Sequence, residues 1–196
     1  VRSLALKRGI DIVGAGLGLL VAAVPMAVVA IVIRVTMGSP VLFRQERPGL
    51  HGRPFTLVKF RSMRDGPGDD IDRLTRTGAF LRATSLDELP ELWNVLRGDM
   101  SLVGPRPLLM SYLSLYSEEQ ARRHEVRPGL TGLAQVEGRN LVDWPERLAN
   151  DVHYVDTWTN WGDLKIIGRT IGAVLRRTGI SAEDEATMRN FTGNEP

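Results

Sequence analysis

From Ile12 to Ile33 no position carries a charge. This apolar run of about 22 residues is long enough to cross a hydrocarbon core as a helix. Pro25 sits inside it, where it lacks an N–H donor and meets the carbonyl of Val21, so a kink is expected there. Both flanks are basic: Arg2, Lys7 and Arg8 precede the run, and Arg34, Arg44, Arg47, Arg53, Lys59, Arg61 and Arg64 follow it. The positive-inside rule places both ends on the cytoplasmic face. A re-entrant hairpin satisfies that; a tilted, Pro-kinked spanning helix is the alternative. A cleaved leader is disfavoured, because Arg34-Val35-Thr36-Met37 follows the run instead of a small-residue cleavage site. Asp11 is placed to pair with Lys7 or Arg8 at the interface.

Beyond the run the pattern shortens. Val41 to Arg44 and Phe55 to Arg61 read as two short strands of a hairpin, with turn chemistry at Arg47-Pro48-Gly49 and Gly52-Arg53-Pro54. A period of two puts Lys59 and Arg61 on one face. Asp65 to Asp70 reads as a loop, and the chain is mostly helical in pattern from about Ile71. Three later segments look amphipathic: Leu108 to His124; Leu148, Val152 and Val155; and Leu164, Ile167, Ile171, Val174 and Leu175. Lys165, Arg169 and Arg176 occupy another face of the last one, and Trp144, Trp158 and Trp161 lie nearby. Such helices suit a lipid interface or the core of a small domain. The predicted fold is mainly α with a small β-hairpin. Residues 1–36 form a membrane helix-hairpin broken at Pro25, and residues 37–196 form a cytosolic, membrane-associated catalytic domain.

Composition changes this picture little. Apolar residues make up 43% and charged residues 24% of 196 positions, ordinary for a folded chain. There is no cysteine, which excludes disulfides and thiolate metal sites. The formal net charge of +2 is too small to argue for nucleic acid as a partner.

The chemistry concentrates in Thr84-Ser85-Leu86-Asp87-Glu88-Leu89-Pro90-Glu91-Leu92-Trp93-Asn94. Pro90 belongs in the first turn of a helix, which places Asp87 and Glu88 at its N-terminus. There they could serve as a cap and dipole complement. They could also form a reactive pair, since a helix N-terminus binds phosphate and lowers the pKa of nearby acids. An ionised carboxylate there could attack phosphorus or hold Mg²⁺. Candidate phosphate contacts are Lys59 and Arg61 on the strand, Arg82 before the acids, and Arg106 between two prolines. Arg127 is a fifth, in the rigid turn Arg127-Pro128-Gly129-Leu130-Thr131-Gly132. His51, His124 and His153 are too dispersed for zinc.

These motifs occur together with Lys7-Arg8-Gly9-Ile10-Asp11, Lys59-Phe60-Arg61-Ser62-Met63, Gly98-Asp99-Met100-Ser101-Leu102-Val103-Gly104-Pro105-Arg106-Pro107 and Asp163-Leu164-Lys165-Ile166. In this order they resemble the short monotopic phosphoglycosyl transferases of the bacterial sugar transferase family, over nearly the whole chain. The resemblance implies transfer of a phospho-sugar from a UDP-sugar to undecaprenyl or another polyprenyl phosphate, with Mg²⁺ and release of UMP. It implies a covalent phospho-sugar on Asp87, with Glu88 holding Mg²⁺ or taking a proton, and Arg106 on phosphate. It also implies a re-entrant membrane helix, and a catalytic domain on the cytoplasmic face of the bacterial inner membrane. The family's break carries a Ser-Pro or similar pair; here it is Val24-Pro25. Glu119 to His124 and Gly179-Ile180-Ser181 resemble members that use N-acetylated amino sugars, whereas users of UDP-galactose or UDP-glucose usually carry extra N-terminal helices. The expected donor is therefore an N-acetylated amino sugar, with those hexoses as the alternative. A non-catalytic, membrane-anchored assembly protein is the reading of another class, and homo-oligomerisation is left open.

Overall fold

The computed structural model describes residues 2–137, 143–176 and 191–193. Gly179-Ile180-Ser181 lies outside them. The elements in chain order are α1 (Leu4–Thr36), β1 (Leu42–Pro48), β2 (Pro54–Phe60), α2 (Asp70–Arg73), α3 (Arg76–Ala83), α4 (Glu91–Arg97), β3 (Ser101–Val103), α5 (Glu118–Ala121), β4 (Gly129–Thr131), α6 (Leu133–Glu137), α7 (Trp144–Thr157) and α8 (Asn160–Arg176). Short 3₁₀ turns cover Leu50–Gly52, Leu86–Glu88, Met110–Leu115 and Arg122–Glu125. The mainly helical fold with one antiparallel hairpin, β1 on β2, matches the expectation.

α1 starts at Ser3, whose side chain accepts from the Leu6 amide. The helix is continuous through Pro25, so the expected break does not appear as an interruption. By length and composition alone it could cross a membrane. Its buried positions, Lys7, Asp11, Ala15, Ala22, Val29 and Ile33, recur at intervals of four or seven and so form one stripe. That stripe is part of the domain's core. Ala15 packs with Leu57, Leu92, Val95 and Met100, while Val29 and Ile33 pack with Phe60 and Leu81. The opposite face, including Leu17, Leu20, Val21, Val24, Ile31 and Val35, is apolar and exposed.

The charges in the first turns of α1 grip protein. Lys7 Nζ donates to Val103 O (2.9 Å), Tyr154 Oη (3.1 Å) and Asp163 Oδ2 (2.6 Å). Arg8 donates to Val95 O and Leu96 O at 2.7 and 2.6 Å, closing the orphan carbonyls at the end of α4. The expected pairing of Asp11 with Lys7 or Arg8 does not form. Asp11 instead accepts from Ser101 Oγ and Leu102 N, both at 2.9 Å, because β3 runs beneath this turn of the helix.

Two further features depart from the pattern reading. Leu108 to His124 is not one amphipathic helix but a chain of short turns, with Pro107 ahead of it and a fresh capping box at Ser117–Gln120. The segment around Gly129 joins β3 as a parallel partner, Ser101 beside Gly129 and Val103 beside Thr131. Glycine makes that approach feasible. A Cβ on Gly104 would meet Arg127 O at 2.4 Å, and one on Gly129 would meet Gly104 N at 2.1 Å. α7 and α8 then cover this pair with Tyr154, Trp158 and Ile166 around Val103.

Candidate active site

Four short pieces of chain converge on one cluster of charge. β2 supplies Lys59, the 3₁₀ turn supplies Asp87 and Glu88, the first turn of α4 supplies Glu91, and the segment after β3 supplies Arg106. Asn94 sets the spacing between the first and third pieces. Fully buried on α4, it accepts from Val58 N (3.2 Å) and donates to Thr56 O (2.8 Å), which ties α4 to β2 on both sides of Leu57. Lys59 is thereby brought across from Glu88 and Glu91.

The acids precede α4 rather than lying on it, since Pro90 occupies the cap position and the helix begins at Glu91. Ser85, immediately before their turn, holds φ 55° and ψ 18°, the left-handed region that a non-glycine residue adopts at a cost of about 1–3 kcal/mol. The strained residue turns the chain so that Asp87 is buried.

Glu88 is heavily engaged. Its Oε1 accepts from Arg106 at 2.6 Å and from Lys59 at 3.0 Å. Burial alone would raise its pKa, but these two cations outweigh burial and hold it well below the usual carboxylate range. Lys59 Nζ also lies 2.8 Å from Glu91 Oε1, close enough to pair but not aligned for a hydrogen bond. Burial, with Glu88 adding to it, raises Glu91 to about 7 against the opposing pull of Lys59. Asp87 makes no hydrogen bond or ion pair with another described residue. Its pKa is raised by burial and by Glu88, the reverse of the lowering expected at a helix N-terminus. Neighbouring carboxylates pushed in opposite directions are a signature of acid–base and nucleophilic sites.

Not every expected phosphate contact reaches this cluster. Lys59 and Arg106 do. Arg82 acts electrostatically on Asp87 and donates Nε–H to Ser62 Oγ at 3.0 Å. Arg61 is directed elsewhere: β2 ends at Phe60, the period of two ends with it, and Arg61 binds Met37 O (2.6 Å), Gly38 O (3.0 Å) and Asp65 (2.9 Å). Arg127 donates to Gly98 O at 2.9 Å, at the end of α4. Two arginines to which the sequence pattern gives no role stand near Arg106. Arg47 and Arg147 are both lowered by burial and then by Arg106, Arg147 to about 10. Glu91 has no role in that pattern either, although its spacing of three from Glu88 is a signal for a shared face. No group of three or more His, Cys, Asp or Glu able to hold a metal occurs among the described residues.

The profile described as bacterial sugar transferase matches residues 2–177. A protein described as the uncharacterized sugar transferase EpsL of Bacillus subtilis is 52% identical over 195 residues, covering 96% of each chain. A UDP-glucose:undecaprenyl-phosphate glucose-1-phosphate transferase of Caulobacter vibrioides is 46% identical over 86% of this chain and 69% of its own length. An undecaprenyl-phosphate galactose phosphotransferase of Salmonella typhimurium is 40% identical over 89% of this chain, which spans 41% of that longer protein.

Proposed function

Because the chain belongs to the bacterial sugar transferase family, we propose that it moves a phospho-sugar from a UDP-sugar to undecaprenyl phosphate and releases UMP, with Asp87 as the attacking group. The observation that carries this reading is the contrast inside the dyad. Glu88 is held by two cations, while Asp87 beside it is buried with no protein partner among the described residues. A largely buried carboxylate with no hydrogen-bond donor, met only by the electrostatic pull of Lys59, Arg106 and Arg82, is costly to keep for structure alone.

The proposed transfer runs in two steps. An Asp87 oxygen attacks the phosphorus that bears the sugar, and the bond from that phosphorus to the bridging oxygen breaks. UMP leaves with the bond's electron pair. An oxygen of the lipid phosphate then attacks the same phosphorus and displaces the Asp87 carboxylate, giving the diphosphate-linked lipid sugar. Splitting the transfer lets one small site serve two bulky substrates in turn. Burial raises the basicity of Asp87 and so its nucleophilicity. Arg106 and Lys59 fix Glu88, and Arg47 and Arg147 add positive charge near Arg106, which suits phosphate oxygens. Mg²⁺ usually takes one or two carboxylates and completes its shell with water and substrate phosphates. The unpartnered Asp87 and the second oxygen of Glu88 fit that need, and the ion would neutralise charge on the transferring phosphate.

The relatives named for a sugar carry glucose or galactose in their names, and none supports the amino-sugar expectation. Hexose donors therefore come first in the assay. UMP release is measured with UDP-glucose, UDP-galactose and a UDP-N-acetylated amino sugar, with undecaprenyl phosphate and Mg²⁺. Release with one donor, lost in Asp87→Asn, is the expected result. Release undiminished in folded Asp87→Asn would sink the assignment of Asp87.

We place α1 re-entrantly in the cytoplasmic leaflet, with the rest of the chain on that same side. Support comes from both ends being bound to one domain: Lys7 to Asp163, and Met37 O to Arg61. A spanning helix would part them. The absence of native cysteine makes the test clean. Leu4→Cys and Val35→Cys should both react with an impermeant maleimide from the cytoplasmic side; labelling from opposite sides would show a spanning helix.

A further inference from the structure

Arg122 and Arg123 are adjacent in sequence but opposite in fate. Arg122 stays at the surface with Glu119, Glu125 and Asp156. The Arg123 side chain is 1% exposed and its partner Asp151, on α7, is 4% exposed. Arg123 gives Nε–H and one terminal N–H to Asp151 Oδ2, at 3.0 and 2.6 Å, and lies over the Tyr116 ring. The same terminal nitrogen donates to the backbone carbonyl of Arg106 at 2.7 Å.

That carbonyl has a particular need. Pro105 and Pro107 carry no N–H, so the Pro105-Arg106-Pro107 turn has few donors of its own with which to fix its peptide planes. Its three carbonyls are bonded from outside: Pro105 O by Gly129 N (3.0 Å), Arg106 O by Arg123 (2.7 Å) and Pro107 O by Arg47 at the long limit of 3.5 Å. The middle one belongs to the residue whose guanidinium reaches Glu88 at 2.6 Å. A buried arginine–aspartate pair is a poor source of stability compared with an apolar pair of like volume. What an apolar pair cannot supply is a directed donor.

We propose that Arg123, oriented by Asp151, is a positioning residue for the transfer reaction: it fixes the peptide of Arg106, and through it the grip of Arg106 on Glu88. The proposal rests on the transfer chemistry above for its kinetic consequence, but its geometric consequence stands apart from that chemistry.

The test replaces the pair by apolar residues, Arg123→Met with Asp151→Leu, in the full chain. A crystal structure of that variant should show Arg106 turned away from Glu88, beyond hydrogen-bond distance. If Arg106 still bonds Glu88 there, the proposal is overturned whatever the transfer assay gives. In the assay, kcat should fall about 10- to 100-fold while KM for the donor changes little, as a misplaced charge requires. The same swap made on an Arg106→Ala background should change kcat by less than about twofold, because the group it positions is gone. An equal drop on both backgrounds would mean general structural damage and would overturn the proposal. Arg123→Lys is the second variant should the swap not fold. It keeps the charge but replaces the planar two-nitrogen fork, through which Arg123 meets Asp151 and the carbonyl together, with a single nitrogen on a different stem, so it should lower kcat in the same Arg106-dependent way. An inactive wild type, with Arg106 displaced from Glu88 in the swap, would remove the transfer reading and leave the positioning intact.

Discussion

Two clusters of buried charge lie in the same domain, and each pairs a lysine with a carboxylate. At one end of α1, Lys7, Asp163 and Tyr154 close a small network: Lys7 gives its protons to Val103 O, Tyr154 Oη and Asp163 Oδ2, and Tyr154 gives its own to Asp163 Oδ1 at 2.8 Å. At the other cluster, Lys59 and Arg106 converge on one oxygen of Glu88, Lys59 is shared with Glu91, and Asp87 is left out. The first network joins four segments, α1, β3, α7 and α8, and its hydrogen bonds close on one another. The second is unbalanced, and it is where we propose that the transfer takes place. Buried charge as such does not mark a site; an inventory of donors and acceptors that fails to close does.

The sharpest way to break this contrast is to remove one carboxylate from each cluster. Asp87→Asn should abolish UMP release, by on the order of 10⁴-fold or more for loss of a nucleophile. It should leave the fold as stable as before or slightly more so, because burial and Glu88 together outweigh the pull of Lys59, Arg106 and Arg82 on this charge. Asp163→Asn should do the opposite. Breaking a buried pair costs about 3–5 kcal/mol, so denaturant midpoints should fall while kcat per folded molecule stays near wild type. Replacing both partners, Lys7→Met with Asp163→Leu, should recover much of that stability. Equal behaviour of the two aspartates in both assays would erase the distinction between the clusters.

How much of this was legible in the sequence differs between the same two regions. The hairpin, α7 and α8 followed from periodicity, because each buries a regular face. The dyad was visible because Pro90 marks a helix start. What periodicity could not show was which long-range partners each charge takes. Asp11 was expected to stay with Lys7 or Arg8 four and three positions away, but β3, ninety residues later, offered it Ser101 and Leu102. Arg61 shared a strand face with Lys59 only as long as the strand lasted, and it ends one residue earlier. Glu91 lies in the first turn of α4; its burial against Lys59 depends on Asn94 drawing α4 onto β2, which no local pattern encodes.

Glu91 supplies the smallest and most discriminating prediction, because it sits inside the unbalanced cluster without being its reactive member. Burial raises it from an ordinary 4.5 to about 7, so between those values the folded chain holds a proton that the unfolded chain has released. Stability should therefore fall as pH rises from about 4.5 to 7, a cost of about 3 kcal/mol at ~1.4 kcal/mol per unit. Glu88 contributes with the opposite sign and in another window. Its pKa is held down by Arg106 and Lys59, so its contribution is present above about 4.5 and is lost as pH falls below that. Glu91→Gln removes only the first effect. Denaturant midpoints taken from pH 5 to pH 8 should slope downward in the wild type and less steeply in the variant, where the raised Asp87 still acts with the same sign, with UMP release altered far less than in Asp87→Asn. An unchanged slope in Glu91→Gln would mean that Lys59 neutralises Glu91 fully. The imbalance of the cluster would then reside in Asp87 alone.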